Sequence, residues 1–145
     1  MNKEEVRQKI QGAMNGKQGD LLDILLSIPS PYFAFDGRPI AKDYPKAFKV
    51  LKEYLIDNSN GEINDLSDDD AVMAMFVNPR MLYDFFDSVN IYIGIVPQSG
   101  FSHEGFIGEV EYEKNHIVID ESKFSTRQET EKYMITKAFK YLDEK

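Results

Sequence analysis

The spacing of apolar residues along this chain changes period once and then changes back. Up to Val89 the apolar residues fall mainly at helical spacing, apart from the aromatic stretch Tyr32 to Ile40. Ile91 to Val96 is instead a continuous, mostly β-branched run. Phe106 to Glu113 ends in strict alternation, Val110 and Tyr112 against Glu109, Glu111 and Glu113. His116 to Asp120 sets Ile117 and Ile119 against Val118. From Thr126 the helical spacing returns. This order predicts an α+β fold: N-terminal helices, a three-stranded antiparallel meander, and a C-terminal helix packed on the sheet. At 145 residues a single domain, 1–145, is expected.

Local signals divide the helical part. Asn2 to Met14 reads as a short polar helix. Asp20 is expected to cap a second helix, stopped by Pro29 and Pro31. Tyr32 to Ile40 reads as a small hairpin or ordered loop, with Asp36-Gly37 at its turn. Asp43 is expected to cap a third helix carrying Ala47, Phe48 and Leu51. Ser67 caps a fourth, with Asp68, Asp69 and Asp70 in its first turn. Asn78-Pro79 is expected to open a fifth. Ser125 or Thr126 opens the last helix, with Met134, Ala138, Tyr141 and Leu142 as its stripe and Ile135 and Phe139 widening it. Both faces of the first strand look dry, which predicts helices on both of its sides; the second strand has one acidic, wet face, so helices are expected to cover one side of the sheet fully and the other only in part.

Seventeen Lys and Arg against 25 Asp and Glu give a net charge of −8. Residues 1–56 carry 9 basic and 7 acidic residues, 57–125 carry 3 and 14, and 126–145 carry 5 and 4. The middle of the chain alone is therefore at −11. Direct binding to nucleic acid or to an anionic membrane needs clustered Lys and Arg and is not expected. A cationic partner would be steered toward the acidic stretch. The candidate binding residues are Asp65, Asp68, Asp69, Asp70, Glu109, Glu111, Glu113, Asp120 and Glu121, taken as one negative surface.

Several chemistries are set aside. With no cysteine there is no disulfide, thiolate zinc site or cysteine nucleophile. The Asn58-Asn60-Gly61 loop resembles a calcium loop, but Ile56 and Ser67 fall where the first and last ligands belong. Asp68–Asp70 splay around a helix start and do not converge on one ion. No glycine-rich nucleotide loop is present. Neither a cofactor nor a metal is expected. Ser102-His103-Glu104 is the one place where an acid–base pair could stand, in the loop between the first two strands. Tyr32, Phe33 and Phe35 read as core more readily than as a ligand pocket. The absence of a membrane-length apolar run and of a signal peptide leads to the expectation of a cytoplasmic protein.

The order of helix, three strands and helix resembles that of double-stranded-RNA-binding domains. The lysine cluster that opens their last helix is replaced here by Ser125-Thr126-Arg127-Gln128-Glu129, so the RNA function is not implied. Phe124 to Glu129 followed by Ala138-Phe139 and Leu142 resembles the strand-to-helix ending of small phage and prophage helix–sheet–helix proteins. That resemblance implies a mobile-element protein and no site residues. The reading that follows is a non-enzymatic acidic protein that docks a basic surface of a partner, as inhibitors and immunity proteins do. The alternatives are an accessory or structural phage protein, and a small-molecule binder or enzyme using Ser102–Glu104.

Overall fold

The computed structural model describes residues 18–27, 34–100, 103–112, 116–124 and 126–145, with only the course of the backbone at 18–21, 97–100, 103–104 and 116–124. Its elements are α1 (Gln18–Ser27), α2 (Arg38–Asp43), α3 (Pro45–Asp57), α4 (Asp68–Val77), α5 (Met81–Ser88), β1 (Tyr92–Gly100), β2 (His103–Tyr112), β3 (His116–Phe124) and α6 (Arg127–Asp143). The α+β class holds. No helix among the described residues is long and apolar enough to cross a membrane. The expected helix over Asn2–Met14 lies outside the described residues, as do Tyr32 and Phe33.

The sheet runs in the order β1-β2-β3. The regular three-stranded meander expected from the sequence is corrected by its register. Only β1 and β2 form an unbroken antiparallel ladder, from Tyr92 opposite Glu111 to Gly100 opposite His103. The pairing of β3 with β2 slips between Phe106 and Gly108, where Phe106 meets Phe124 but Gly108 meets Asp120. The cause is visible in the residues. Asp120-Glu121-Ser122-Lys123 has no apolar alternation to hold a register, so β3 carries extra length there. Pro97, which follows the apolar run Ile91–Val96, lies inside β1 opposite Phe106.

α6 lies across one face of this sheet and also packs on α3; α5 packs on β1, and α4 on α1, α2 and α3. The buried residues form one cluster. Its centre is aromatic: Phe139 sits 4.8 Å from Phe86 and 6.0 Å from Phe85, and Phe85 meets Tyr54 edge-on at 5.3 Å. Each such side chain contributes about 1.5–3 kcal/mol by burial. At the seam of helix and sheet, Gly108 has no room for a side chain, since a Cβ there would lie 2.1 Å from Met134 Cγ. Beside it Tyr112 stacks on Tyr141 at 4.1 Å.

Capping follows the sequence at two helices and departs from it at three: Asp20 lies inside α1, and Asp43 and Asn78 each end the helix before the one expected to follow them. Ser67 Oγ accepts from the Asp70 amide at 3.1 Å and Thr126 Oγ1 from that of Glu129 at 3.1 Å. Asp36-Gly37 makes no hairpin. The Asp36 carboxylate accepts from the Arg38 amide and guanidinium, and Pro39 fits the first turn of α2. Burial pushes the Asp36 carboxyl up, but the hydrogen bonds from Arg38 outweigh this and hold it below its ordinary value. Asp43 ends α2 instead of capping α3. The first amides of α3, at Lys46 and Ala47, donate to Asp143 Oδ1 at 2.9 and 3.0 Å. Asn78 closes α4, and α5 begins after a turn through Pro79 and Arg80.

Candidate partner-binding surface

The face of the β1–β2 ladder turned away from α6 is open. The expectation of helices on both sides of β1 is corrected: Tyr92 is 46% and Val96 49% exposed. The inner positions Ile93 and Ile95 join the core, while Gly94 interrupts the outer row with no side chain to bury. Register sets Tyr92 opposite Glu111 and Gly94 opposite Glu109. These four, with Ile93, line a shallow hollow. Gly94 has a specific use there. A Cβ on it would stand 2.9 Å from Glu109 Cγ and 2.9 Å from Glu109 Oε1, so the carboxylate lies across β1 over the bare glycine. Among the described residues neither Glu109 nor Glu111 has an ion-pair partner. Two carboxylates about 6–7 Å apart on one strand repel each other, and an incoming cation relieves that repulsion.

The other candidate residues stand elsewhere. Asp68, Asp69 and Asp70 are the first turn of α4, with Asp68 paired to Lys52 Nζ at 2.8 Å. Asp65 accepts from the Leu66 amide. These belong to the helical layers, whereas Glu109 and Glu111 occupy the sheet face remote from α6. The two acidic groups are carried by different elements: α4 packs on α1, α2 and α3, while Glu109 and Glu111 lie in the sheet. Glu113 lies outside the described residues. The backbone of Asp120 pairs with Gly108, and Glu121 lies in the slipped part of β3. Among the described residues no three His, Asp or Glu side chains stand together so as to hold a metal ion.

The Ser102–Glu104 segment differs from the loop expected. His103 and Glu104 are ladder residues, opposite Gly100 and Ser99, while Ser102 lies outside the described residues. The Asn58–Gly61 turn is closed from within. Asn60 and Gly61 take left-handed backbone angles, and Asn58 Nδ2 donates to the Tyr54 carbonyl.

One charged cluster escaped the sequence reading. Glu131 on α6 is 1% exposed. Its Oε1 accepts from Arg80 Nη1 at 2.7 Å and from the Tyr83 hydroxyl at 2.9 Å, and Arg127 Nε lies 3.9 Å away. Its Oε2 is buried without a hydrogen-bond partner among the described residues. Burial, then the bond to Glu131, raises the Tyr83 hydroxyl above its ordinary value. A signal existed: Glu131 continues the spacing of Met134, Ile135 and Ala138, and a carboxylate in a buried stripe demands a partner. The cluster ties α6 to the start of α5.

No family model matches the chain, and no curated protein or solved structure matches it either.

Proposed function

We propose that this chain is a small acidic, non-enzymatic binding protein of the inhibitor or immunity type, docking a basic surface of a partner protein. The docking face is the open side of β1–β2. The observation that carries the reading is the pairing of two carboxylates, without ion-pair partners among the described residues, with a half-exposed tyrosine and valine on one sheet face. Such a face offers an aromatic anchor beside charge that selects a cationic counterpart. The charge of the whole chain, −8, steers the approach.

The test is capture from a bacterial lysate, with the wild type and the Glu109→Lys/Glu111→Lys double variant as baits. A protein retained by the wild type at low salt, released at high salt and missed by an equally stable double variant is the expected result. Retention indifferent to both salt and reversal overturns the reading, because a screened, charge-selected contact must respond to each.

A further inference from the structure

Among the described residues the open face ends at a strand whose other side has no neighbour in the sheet. β1 is the edge of the order β1-β2-β3. In an antiparallel ladder alternate residues turn their amide and carbonyl toward the neighbour, and those between turn them away. Two observations fix the parity of β1. The Ile91 amide donates to the Phe86 carbonyl at 2.9 Å, away from β2. Pro97, which has no amide to give, falls on the same odd-numbered set and is opposite Phe106. Ile93 and Ile95 therefore direct their N–H and C=O groups to the free edge. Among the described residues nothing bonds them there.

We infer that β1 accepts an extended segment of the partner as an added strand along Ile93–Ile95, with a lysine or arginine of that segment opposite Gly94 meeting the Glu109 carboxylate. The inference rests on the docking face proposed above and names how the partner occupies it. A strand added beside β1 lies about 4.8 Å from it. The Glu109 carboxylate has already crossed from β2 to lie over Gly94, so it stands on the side where the new strand arrives. The residue opposite Gly94 projects from the same face as Tyr92 and Val96. Its neighbours two positions away on either side meet those half-exposed apolar side chains. The alternation apolar, cation, apolar on one face of the segment follows. Pro97 limits the site at one end, since it cannot donate to an added strand. A second copy of this chain is a poor occupant. Edge-to-edge pairing of two β1 strands would bring the two Glu109 carboxylates together and join two chains of charge −8.

The test is amide hydrogen exchange read residue by residue, with an end-blocked peptide Thr-Val-Thr-Lys-Thr-Val-Thr as the probe. In the free protein the amides of Ile93 and Ile95 are expected to exchange about tenfold or more faster than those of Gly94 and Val96, which are bonded to β2. Millimolar lysine peptide is expected to slow Ile93 and Ile95 about tenfold. The same peptide with glutamate at its centre is expected to leave them unchanged. Three results overturn strand addition: protection of Ile93 and Ile95 in the free protein, including protection that grows with protein concentration and so reports a second copy; no protection by the lysine peptide; or equal protection by both peptides. The lysate capture above is read independently. Charge-dependent capture without protection by the peptide leaves the docking face standing and removes only the strand.

Discussion

The β1–β2 ladder presents two faces made from the same two strands, and each has a glycine at its point of closest approach. On the covered face Gly108 admits Met134, which is fully buried, and the helix comes down onto the sheet. On the open face Gly94 admits the side chain of Glu109 from the neighbouring strand, and no helix follows. The same omission of a side chain serves packing on one side and lays a carboxylate flat on the other. The difference teaches that a glycine in a strand marks a close approach but does not say what approaches.

The largest effect expected from this contrast lies in the core behind the covered face. Phe139→Ala should cost about 3–5 kcal/mol in denaturant unfolding. Tyr92→Ala on the open face should cost no more than about 0.5 kcal/mol. Equal costs would mean that the open face is covered after all. The two glycines give the next test. Gly108→Ala must displace a methionine that has no solvent to swing into, and about 1–3 kcal/mol should be lost. Gly94→Ala displaces the exposed side chain of Glu109, which can swing into water, so stability should stay within about 0.5 kcal/mol. A large loss at Gly94 would make it a packing glycine like its counterpart.

The carboxylates of the two regions can be compared in the same way. Glu131 is enclosed, whereas Arg80, its partner, is 60% exposed. Removing the arginine leaves a buried charge, while removing the charge leaves an arginine that water can solvate. Arg80→Ala should therefore cost about 1–2 kcal/mol and Glu131→Gln less. The opposite order would show that the arginine is the member that needs the pair.

The smallest effect is one of pH. The Tyr83 hydroxyl is raised in the folded protein by burial and by its bond to Glu131. Its contribution is fully present below the ordinary tyrosine value of about 10 and is lost as pH rises above it. A thermal melting series through about pH 10 should fall less steeply for Tyr83→Phe than for the wild type.

Much of the fold was legible because its signals are local. The change of period at Ile91, the Ser67 and Thr126 caps and the buried stripe of α6 each lie within a few residues of what they determine. What escaped depends on residues far apart in sequence. Asp43 has the right chemistry to cap α3 and stands one residue before Tyr44, the cap position, yet Asp143 does the work. Ile91–Val96 looks apolar on both sides because the pattern cannot tell a covered Ile93 from an uncovered Tyr92. The acidic residues 57–125 were legible as a count, not as a surface, because a count does not say which of them the fold brings to one face. Glu131 was hidden by its neighbours, since an exposed-looking Arg127–Glu131 pair at helical spacing is the commonest arrangement of such residues.

The bond from Asp143 to the start of α3 also sets a timetable. Lys46 and Asp143 are separated by 97 residues. At ribosomal rates that distance corresponds to about 5–20 s of synthesis, during which α3 has been made and its anchoring carboxylate has not. A nascent chain stalled before residue 143 therefore holds α3 with its leading amides open to water. The same length of chain with the carboxylate delivered has them closed. Completion of the helical layer thus waits until residue 143 has been made, and pulse-labelled nascent chains of increasing length should show α3 becoming resistant to proteolysis only when that carboxylate emerges.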